Sequence, residues 1–181
     1  MPSWLTQQQI SLACTTYQTR RLMFIVTVPE TNRIWAFWRI FDRAMGLYCT
    51  RDRIYLSSKY QLWQLDNVLA EGGQHQGYDR LYIPRSGYAT GDIDIHDIVV
   101  DKNNQIIFIS TLFNCSATVS DRHSCKPLWK SPFVSQYINE DRCHLNSLTE
   151  GVRGSEICDS GESVGCCRWV ARSQTKRRHS Y

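Results

Sequence analysis

Short apolar runs separated by polar turns make up most of the chain. The clearest run, at 22–28, is closed by Pro29, and the run at 33–40 is rich in aromatic residues. Such runs of β-branched and aromatic side chains are typical of strands. Further runs of strand length lie at 11–16, 45–50, 54–58, 61–65, 80–83, 95–100, 105–111 and 115–119. The pattern predicts an all-β fold, with helical turns only near 67–71 and 136–141.

An internal repeat organises these strands. Residues 45–58 and 96–110 share one succession: an apolar strand, a polar turn, an apolar strand and a small hydroxyl residue. The two copies are offset by 51 residues at their starts. A period of about 40–50 residues with three or four strands per unit is typical of a β-propeller. A single duplication also fits a β-sandwich, so the repeat favours the propeller without excluding the sandwich.

The repeat predicts a domain organisation. We expect a polar lead at 1–10, a partial β-propeller of about three blades of antiparallel strands at 11–146, and an irregular basic tail at 147–181. Closed propellers have about four to eight blades. Three blades leave a strand edge and an apolar face uncovered. The chain is therefore expected either to lack C-terminal blades or to self-associate.

The tail has a different character from the rest of the chain. Cys158, Cys166 and Cys167 cluster there, and a basic run occupies 176–179. A disordered basic tail is one interpretation, and a Cys/His metal site is another, although its spacing matches no standard zinc site. A third hypothesis is a frameshift between Ser147 and Gly154. Allowed codons read one nucleotide later encode an alternating strand, a polar loop and a Gly-Gly turn.

Composition and charge exclude several classes of protein. The chain has 181 residues and a net charge of +4, which is too mild to predict nucleic acid or an anionic membrane as the partner. Its apolar runs are shorter than the roughly 18–20 residues of a membrane helix, and the N-terminus lacks signal-peptide features. We therefore expect a cytoplasmic protein. Its eight cysteines, which contain no C-x-x-C pair, are expected to be free thiols.

The densest candidate chemistry lies just before and within the run at 95–100. In an extended strand, Asp92, Asp94 and His96 share one face, which in a propeller would line the central channel. Carboxylates beside an imidazole can bind a divalent metal or act as acid and base. The simpler interpretation is structural: the two aspartates end a turn, and His96 and Asp97 bond to neighbouring backbone.

A second polar block, at 141–146, opens the next repeat. There Arg142 would clamp an anion, or instead pair with an aspartate in a network between blades. The channel-lining candidates are Asp92, Asp94, His96, Asp97, Arg142, His144 and Asn146. Within that set, the candidate metal ligands are Asp94, His96 and His144. The block at 42–45 would form the rim of the preceding blade, but a surface ion pair is its simpler interpretation.

Four blocks, at 41–47, 59–63, 91–97 and 140–146, resemble an uncharacterised bacterial family of conserved hypothetical proteins with a domain of unknown function. Some members of that family also carry tetratricopeptide repeats. The family is propeller-like and its members are longer than this chain. The resemblance therefore implies that the chain is the N-terminal part of a larger ring, and the shifted reading frame resembles the family's continuation. It implies no activity.

Two functions of different classes stay open at this point. The first is a binding or scaffold module that presents a channel mouth to a protein or a small-molecule ligand. The alternative is a metal-dependent hydrolase, because the strand–Asp-x-Asn-Asn–strand segment around 101–104 is similar to those of propeller lactonases. Likeness at the level of the fold does not decide between an enzyme and a binding module. A truncated chain without function is a third interpretation, and its open edge would favour aggregation.

Overall fold

The computed structural model describes residues 2–28, 31, 33–151, 154–158 and 167–171. In these ranges the chain forms one short helix and fourteen strands. In chain order they are α1 (Pro2–Gln8), β1 (Ile10–Thr16), β2 (Arg21–Val28), β3 (Arg33–Ile40), β4 (Leu47–Cys49), β5 (Arg53–Ser57), β6 (Gln61–Asn67), β7 (Tyr82–Ala89), β8 (Ile95–Val100), β9 (Ile106–Ser110), β10 (Cys115–Thr118), β11 (Lys126–Lys130), β12 (Ser147–Gly151), β13 (Gly154–Cys158) and β14 (Cys167–Ala171).

The strands form three antiparallel four-stranded sheets and one hairpin. The first sheet has the order β14-β1-β2-β3, the second β4-β5-β6-β7 and the third β8-β9-β10-β11, while β12 pairs with β13. Apart from β14, strands that follow one another in the chain are thus neighbours in the sheet, which is the arrangement of propeller blades. The predicted all-β, partial-propeller fold of about three blades is confirmed.

The three sheets stack face to face and share apolar cores. Alternate residues of β5 point to opposite sides, as the pleat of a strand requires. Ile54 and Leu56 pack toward the first sheet, against Ala13 and Leu22. Tyr55 packs toward the third sheet. Both faces of the second sheet are therefore covered by a neighbouring sheet.

The innermost strands β14, β4, β8 and β12 lie side by side in that order. The third core continues this series, because Val99 and Ile109 pack against Leu145 and Leu148 at the start of the hairpin. The hairpin β12–β13 therefore opens a fourth repeat, one period after β8.

Hydroxyl groups join each sheet to the next. In the second sheet Ser57 Oγ donates to the carbonyl oxygen of Ile95 at 2.9 Å. In the third, Thr111 Oγ1 donates to that of Leu145 at 2.5 Å. Thr15 of the first sheet makes a similar bond to Met45, at 2.6 Å. Ser57, near the end of the first predicted repeat, is thus a hydrogen-bond donor to the following repeat, whereas Ser110, at the end of the second, donates to the carbonyl oxygen of Ile93 in its own repeat at 2.7 Å.

The structure differs from the predicted elements in two outer strands. The sequence predicted a strand ending at residue 83 and none near 126–130, whereas β7 continues to Ala89 and β11 forms a complete outer strand. Pro84 and Pro127 lie in these strands. Proline is typical of turns, but it is tolerated in an edge strand, where its missing N–H needs no partner.

Three further differences lie at the ends and in loops. The polar lead contains a helical turn, α1, which buries Leu5 completely. The ranges 67–71 and 136–141 are not helical. Part of the segment predicted to be irregular forms β12, β13 and β14, and β14 pairs with β1. Backbone pairing of this kind does not require an alternating side-chain pattern, so these strands have no signature in the sequence.

The predictions on thiols and the membrane are tested only on part of the chain. Within the described ranges, Cys14, Cys49, Cys115, Cys125 and Cys143 form no disulfide bond. The side chains of the tail cysteines and the basic run at 176–179 lie outside the residues that are described. Over the described ranges, no helix has the length and apolar character to cross a membrane.

Candidate functional site

The candidate site lies where the chain enters successive innermost strands. The connections at 42–46, 91–94 and 141–146 lead into β4, β8 and β12. Side chains of the first two connections contact each other, and side chains of the third contact His96 at the start of β8. We call this cluster the rim, and its members are Arg43, Asp92, Asp94, His96, His144 and Asn146.

The rim has a repeated backbone geometry. Arg43, Asp94 and His144 have positive φ angles of 52°, 52° and 43°. They follow one another at intervals of 51 and 50 residues. Each is followed directly by a buried apolar residue, namely Ala44, Ile95 and Leu145. Non-glycine residues rarely adopt this left-handed conformation, and such residues cluster at functional sites.

Arg43 joins the second repeat to the third. Its Nη1 atom donates to Oδ1 and Oδ2 of Asp92 at 2.9 and 3.0 Å. Its Nη2 atom donates to Oδ1 of Asp94. Partial burial acts to lower the pKa of Arg43, but the two carboxylates outweigh it and the pKa is raised. The forked guanidinium suits two acceptors at once, which a lysine ammonium would hold less rigidly.

His96 continues the network into the fourth repeat. Its Nε2 atom lies 3.2 Å from Oδ2 of Asp94, and its Nδ1 atom lies 3.0 Å from Oδ1 of Asn146. The His96 side chain is only 4% exposed. Both of its partners are oxygen acceptors, so the arrangement favours an imidazolium that donates from both nitrogens.

The pKa shifts of the buried pair follow from these contacts. Burial disfavours the charged form of Asp94, but the hydrogen bond with His96 and the nearby positive charges outweigh it and lower the pKa. Burial likewise acts to lower the pKa of His96, but its bonds with Asp94 and Asn146 outweigh it and raise the pKa. Both shifts stabilise the ion pair.

His144 is the solvent-facing end of the rim. Its ring meets that of His96 edge-on, with 5.1 Å between the centroids. Its Nδ1 atom is hydrogen-bonded to Asp141 Oδ2, and its backbone N–H donates to Oδ1 of the same carboxylate at 2.8 Å. The side chain is nevertheless 53% exposed. His144 is therefore held in place while its ring stays open to a ligand.

Two predicted site residues lie outside the rim. Arg142 binds the carboxylate of Glu140 in its own connection, through Nε at 2.8 Å and Nη2 at 2.6 Å. Asp97 is buried, and its oxygens accept backbone N–H bonds from Ile98 at 2.9 Å and Leu148 at 3.0 Å. Asp97 therefore ties β8 to β12.

The rim also differs in detail from the sequence prediction. Asp92 and Asp94 precede β8, so the strand alternation that placed them on one face with His96 does not apply. The side chains of Asp94 and His96 meet because Asp94 has a left-handed backbone. From the sequence alone, a surface ion pair is the simpler interpretation of the block at 42–45. In the structure, Arg43 instead binds Asp92 and Asp94 of the next repeat. The regular spacing of Arg43, Asp94 and His144 along the chain is the sequence signal that identifies Arg43 as a member of the rim.

The predicted metal ligands Asp94, His96 and His144 lie close together in the rim but are not arranged to bind one metal ion. Among the residues that are described, no three His, Cys, Asp or Glu side chains are placed to hold a metal ion. One oxygen of Asp94 is bonded to Arg43 and the other to His96, while His144 is bonded to Asp141. The acidic and imidazole groups therefore satisfy one another.

Comparison with solved structures supports the fold. A crystal structure of selenomethionine-substituted virginiamycin B lyase from Staphylococcus aureus, a β-propeller, matches with a TM-score of 0.52 and 10% sequence identity. The match covers 82% of this chain, which spans only 45% of the lyase chain. At this identity the likeness shows the fold alone.

Comparison of the sequence identifies the family. A search of curated proteins finds no match. The profile described as a domain of unknown function (DUF4915) matches residues 1–156. Since this match covers most of the 181 residues, the chain belongs to the DUF4915 family.

Proposed function

We propose that the chain is a binding module built on part of a β-propeller, and that its ligand contacts the rim. The observation that supports this function is the left-handed backbone of Arg43, Asp94 and His144 at the same end of consecutive repeats. Such a conformation costs about 1–3 kcal/mol per residue and persists where its surroundings enforce it. Three equivalent positions with polar side chains are typical of a site that presents those side chains.

The state of the buried pair favours binding over acid–base chemistry. A general base needs a pKa near the working pH, so that it can both take up and release a proton. The lowered pKa of Asp94 and the raised pKa of His96 instead stabilise a charged pair. His96 is also almost fully buried. We interpret this pair as a support that fixes Arg43 and the neighbouring ring of His144.

The exposed part of the rim suits a polar ligand. The His144 imidazole is 53% exposed, the Asp92 carboxylate 37% and the Arg43 guanidinium 24%. These groups offer hydrogen-bond donors and acceptors of both charges within one cluster. We therefore propose a ligand with both donor and acceptor groups, from either a small molecule or a peptide.

The rim belongs to an incomplete ring in this proposal. The chain spans 45% of a propeller of known structure. The family match ends at residue 156, shortly after the predicted frameshift between Ser147 and Gly154. Both observations support the interpretation that the chain holds only the first part of a ring, which either C-terminal blades or a second copy of the chain would complete.

Thermal-shift screening against a panel of polar metabolites and short peptides tests the proposed site. Ligands that raise the melting temperature of the wild-type protein should lose this effect in His144→Ala. They should keep it in the matched control His123→Ala, which changes an exposed histidine in a loop of the third sheet. A shift that persists in both variants would place the ligand elsewhere.

The hydrolase alternative has a separate test. Calorimetric titration with Mg²⁺, Ca²⁺, Mn²⁺ and Zn²⁺ is expected to show no specific binding. Specific binding of one ion that is lost in both His96→Ala and His144→Ala would favour the enzyme over the binding module.

A further inference from the structure

The first sheet has one apolar face without a neighbouring sheet among the described residues. Its strand register places Leu12 beside Ile25 and Ala36, and Cys14 beside Met23 and Trp38. Residues that are paired across strands share a face. The apolar residues of this open face are Leu12, Cys14, Met23, Ile25, Ile34, Ala36, Trp38 and Ile40, and the same register places Arg21 and Thr27 on it. The opposite face carries Ala13, Leu22 and Phe24, which pack toward the second sheet.

Exposure on the open face increases toward its outer strand. The apolar members in β1 and β2 are half-buried, whereas Trp38 is 45% exposed and Ile40 is 74% exposed. Arg21 lies over the Trp38 ring, 4.9 Å from its centroid. The second sheet buries the corresponding faces against its neighbours. In this fold, an apolar face of one sheet is therefore expected to be covered by another sheet.

The other end of the arc is also apolar. Ser116 pairs with Ile109 and with Trp129, so these three residues share a face of the third sheet. Ile109 packs against Leu148 of the hairpin. Trp129, on the outer strand, is 41% exposed. Each end of the arc therefore presents a tryptophan on its outer strand, beyond a more buried inner part.

We propose that a second copy of the chain covers the open face, and that two copies close one ring. The chain spans 45% of a propeller of known structure, so two copies match about nine-tenths of it. A two-fold axis that coincides with the central axis of the ring would place the first sheet of each copy against the β12–β13 end of the other. Because each contact joins two different surfaces, the ring closes when the rotations from one copy to the next add up to a full turn.

Closure would also complete the rim. The described rim spans the starts of β4, β8 and β12, which is one side of the axial mouth. A two-fold axis would bring the rim of the second copy to the opposite side of that mouth. The proposed dimer rests on the open face and on the length of the chain, and it does not depend on the ligand proposed for the rim.

Sedimentation velocity and light scattering test the dimer. The wild-type chain should have twice the 21.1 kDa mass of one copy at micromolar concentration. Trp38→Lys should weaken the dimer roughly tenfold or more, because it replaces a large apolar contact of the covered face with a charge. The matched control Trp35→Lys should leave it intact. Trp35 is 58% exposed in the same strand but pairs with the buried Val26, on the face toward the second sheet.

Three results would overturn the proposal. They are a wild-type chain that stays monomeric, open-ended polymers, and a dimer that Trp38→Lys leaves unchanged. Circular dichroism establishes that each variant is folded. If Trp38→Lys does not fold, Ile40→Lys replaces it, because Ile40 is 74% exposed on the same face and its substitution disturbs little within one copy.

Discussion

Nδ1 of His96 lies 3.0 Å from Oδ1 of Asn146, fifty residues further along the chain. The other ring nitrogen of His96 faces Asp94, which Arg43 also binds. One continuous set of polar contacts therefore links three consecutive repeats. Since hydrophobic packing between sheets is non-directional, polar contacts of this kind fix how each repeat is positioned relative to the next.

The stability of the protein should depend on the protonation of His96. Its folded-state pKa is raised above the ordinary value of 6.5. The stabilisation is therefore fully present below that value and is lost as the pH rises through the folded-state pKa. We expect the difference in unfolding free energy between wild type and His96→Gln to shrink as the pH rises above 6.5 and through the folded-state pKa. Urea denaturation at stepped pH measures this difference.

The exposed His123 provides the control for this pH dependence. His123→Gln should follow the wild-type profile throughout the range. A wild-type advantage over His96→Gln that stays constant with pH would contradict the proposed ion pair.

Asp97→Ala should destabilise the protein strongly. Asp97 is 3% exposed and accepts the backbone N–H of Leu148, which joins β8 to β12. Without the carboxylate, that buried N–H loses its partner, at a cost of about 1–3 kcal/mol. Asp121→Ala, in an exposed loop, should change the unfolding free energy by less than about 0.5 kcal/mol. Equal effects of the two substitutions in denaturant unfolding would exclude the proposed tie.

Gly46→Ala should be destabilising because β4 and β8 approach closely at this residue. An added Cβ would lie 3.1 Å from Ile98 Cγ1 and 3.1 Å from Ser57 Oγ. Overpacking of this kind typically costs about 1–3 kcal/mol. Gly87→Ala is the matched control, because its Cβ would meet Trp63 at an ordinary 3.7 Å. The prediction fails if thermal unfolding shows the two variants to be equally stable.

The coding DNA tests the predicted frameshift. Downstream of Ser147, the frame read one nucleotide later should stay open and encode further alternating strands. A stop codon soon after the break in that frame would rule it out.

The sequence predicted those features that depend on local pattern. The strands at 22–28 and 33–40 and the repeat at 45–58 and 96–110 follow from alternation, β-propensity and turn residues. The same local reading selected the blocks before β8 and β12, because polar residues cluster there. It therefore located most of the rim without knowledge of the fold.

The remaining features depend on contacts between distant parts of the chain. Judged from its neighbours in the sequence, Arg43 is a surface charge, and only the stacking of repeats brings it to Asp94. Similarly, β14 joins the first sheet through backbone pairing with β1, which leaves no signature in its own residues. The buried role of Asp97 arises from its hydrogen bonding to the backbone of the next repeat.

The rim joins consecutive repeats through the His96 ring, and NMR titration of that ring tests this central claim most directly. The pKa of His96 should lie above 6.5 in the wild-type protein and should fall in both Asp94→Asn and Asn146→Ala, because each substitution removes a partner that favours the charged ring. A His96 pKa at or below 6.5 that neither substitution changes would show that the repeats do not meet at this ring.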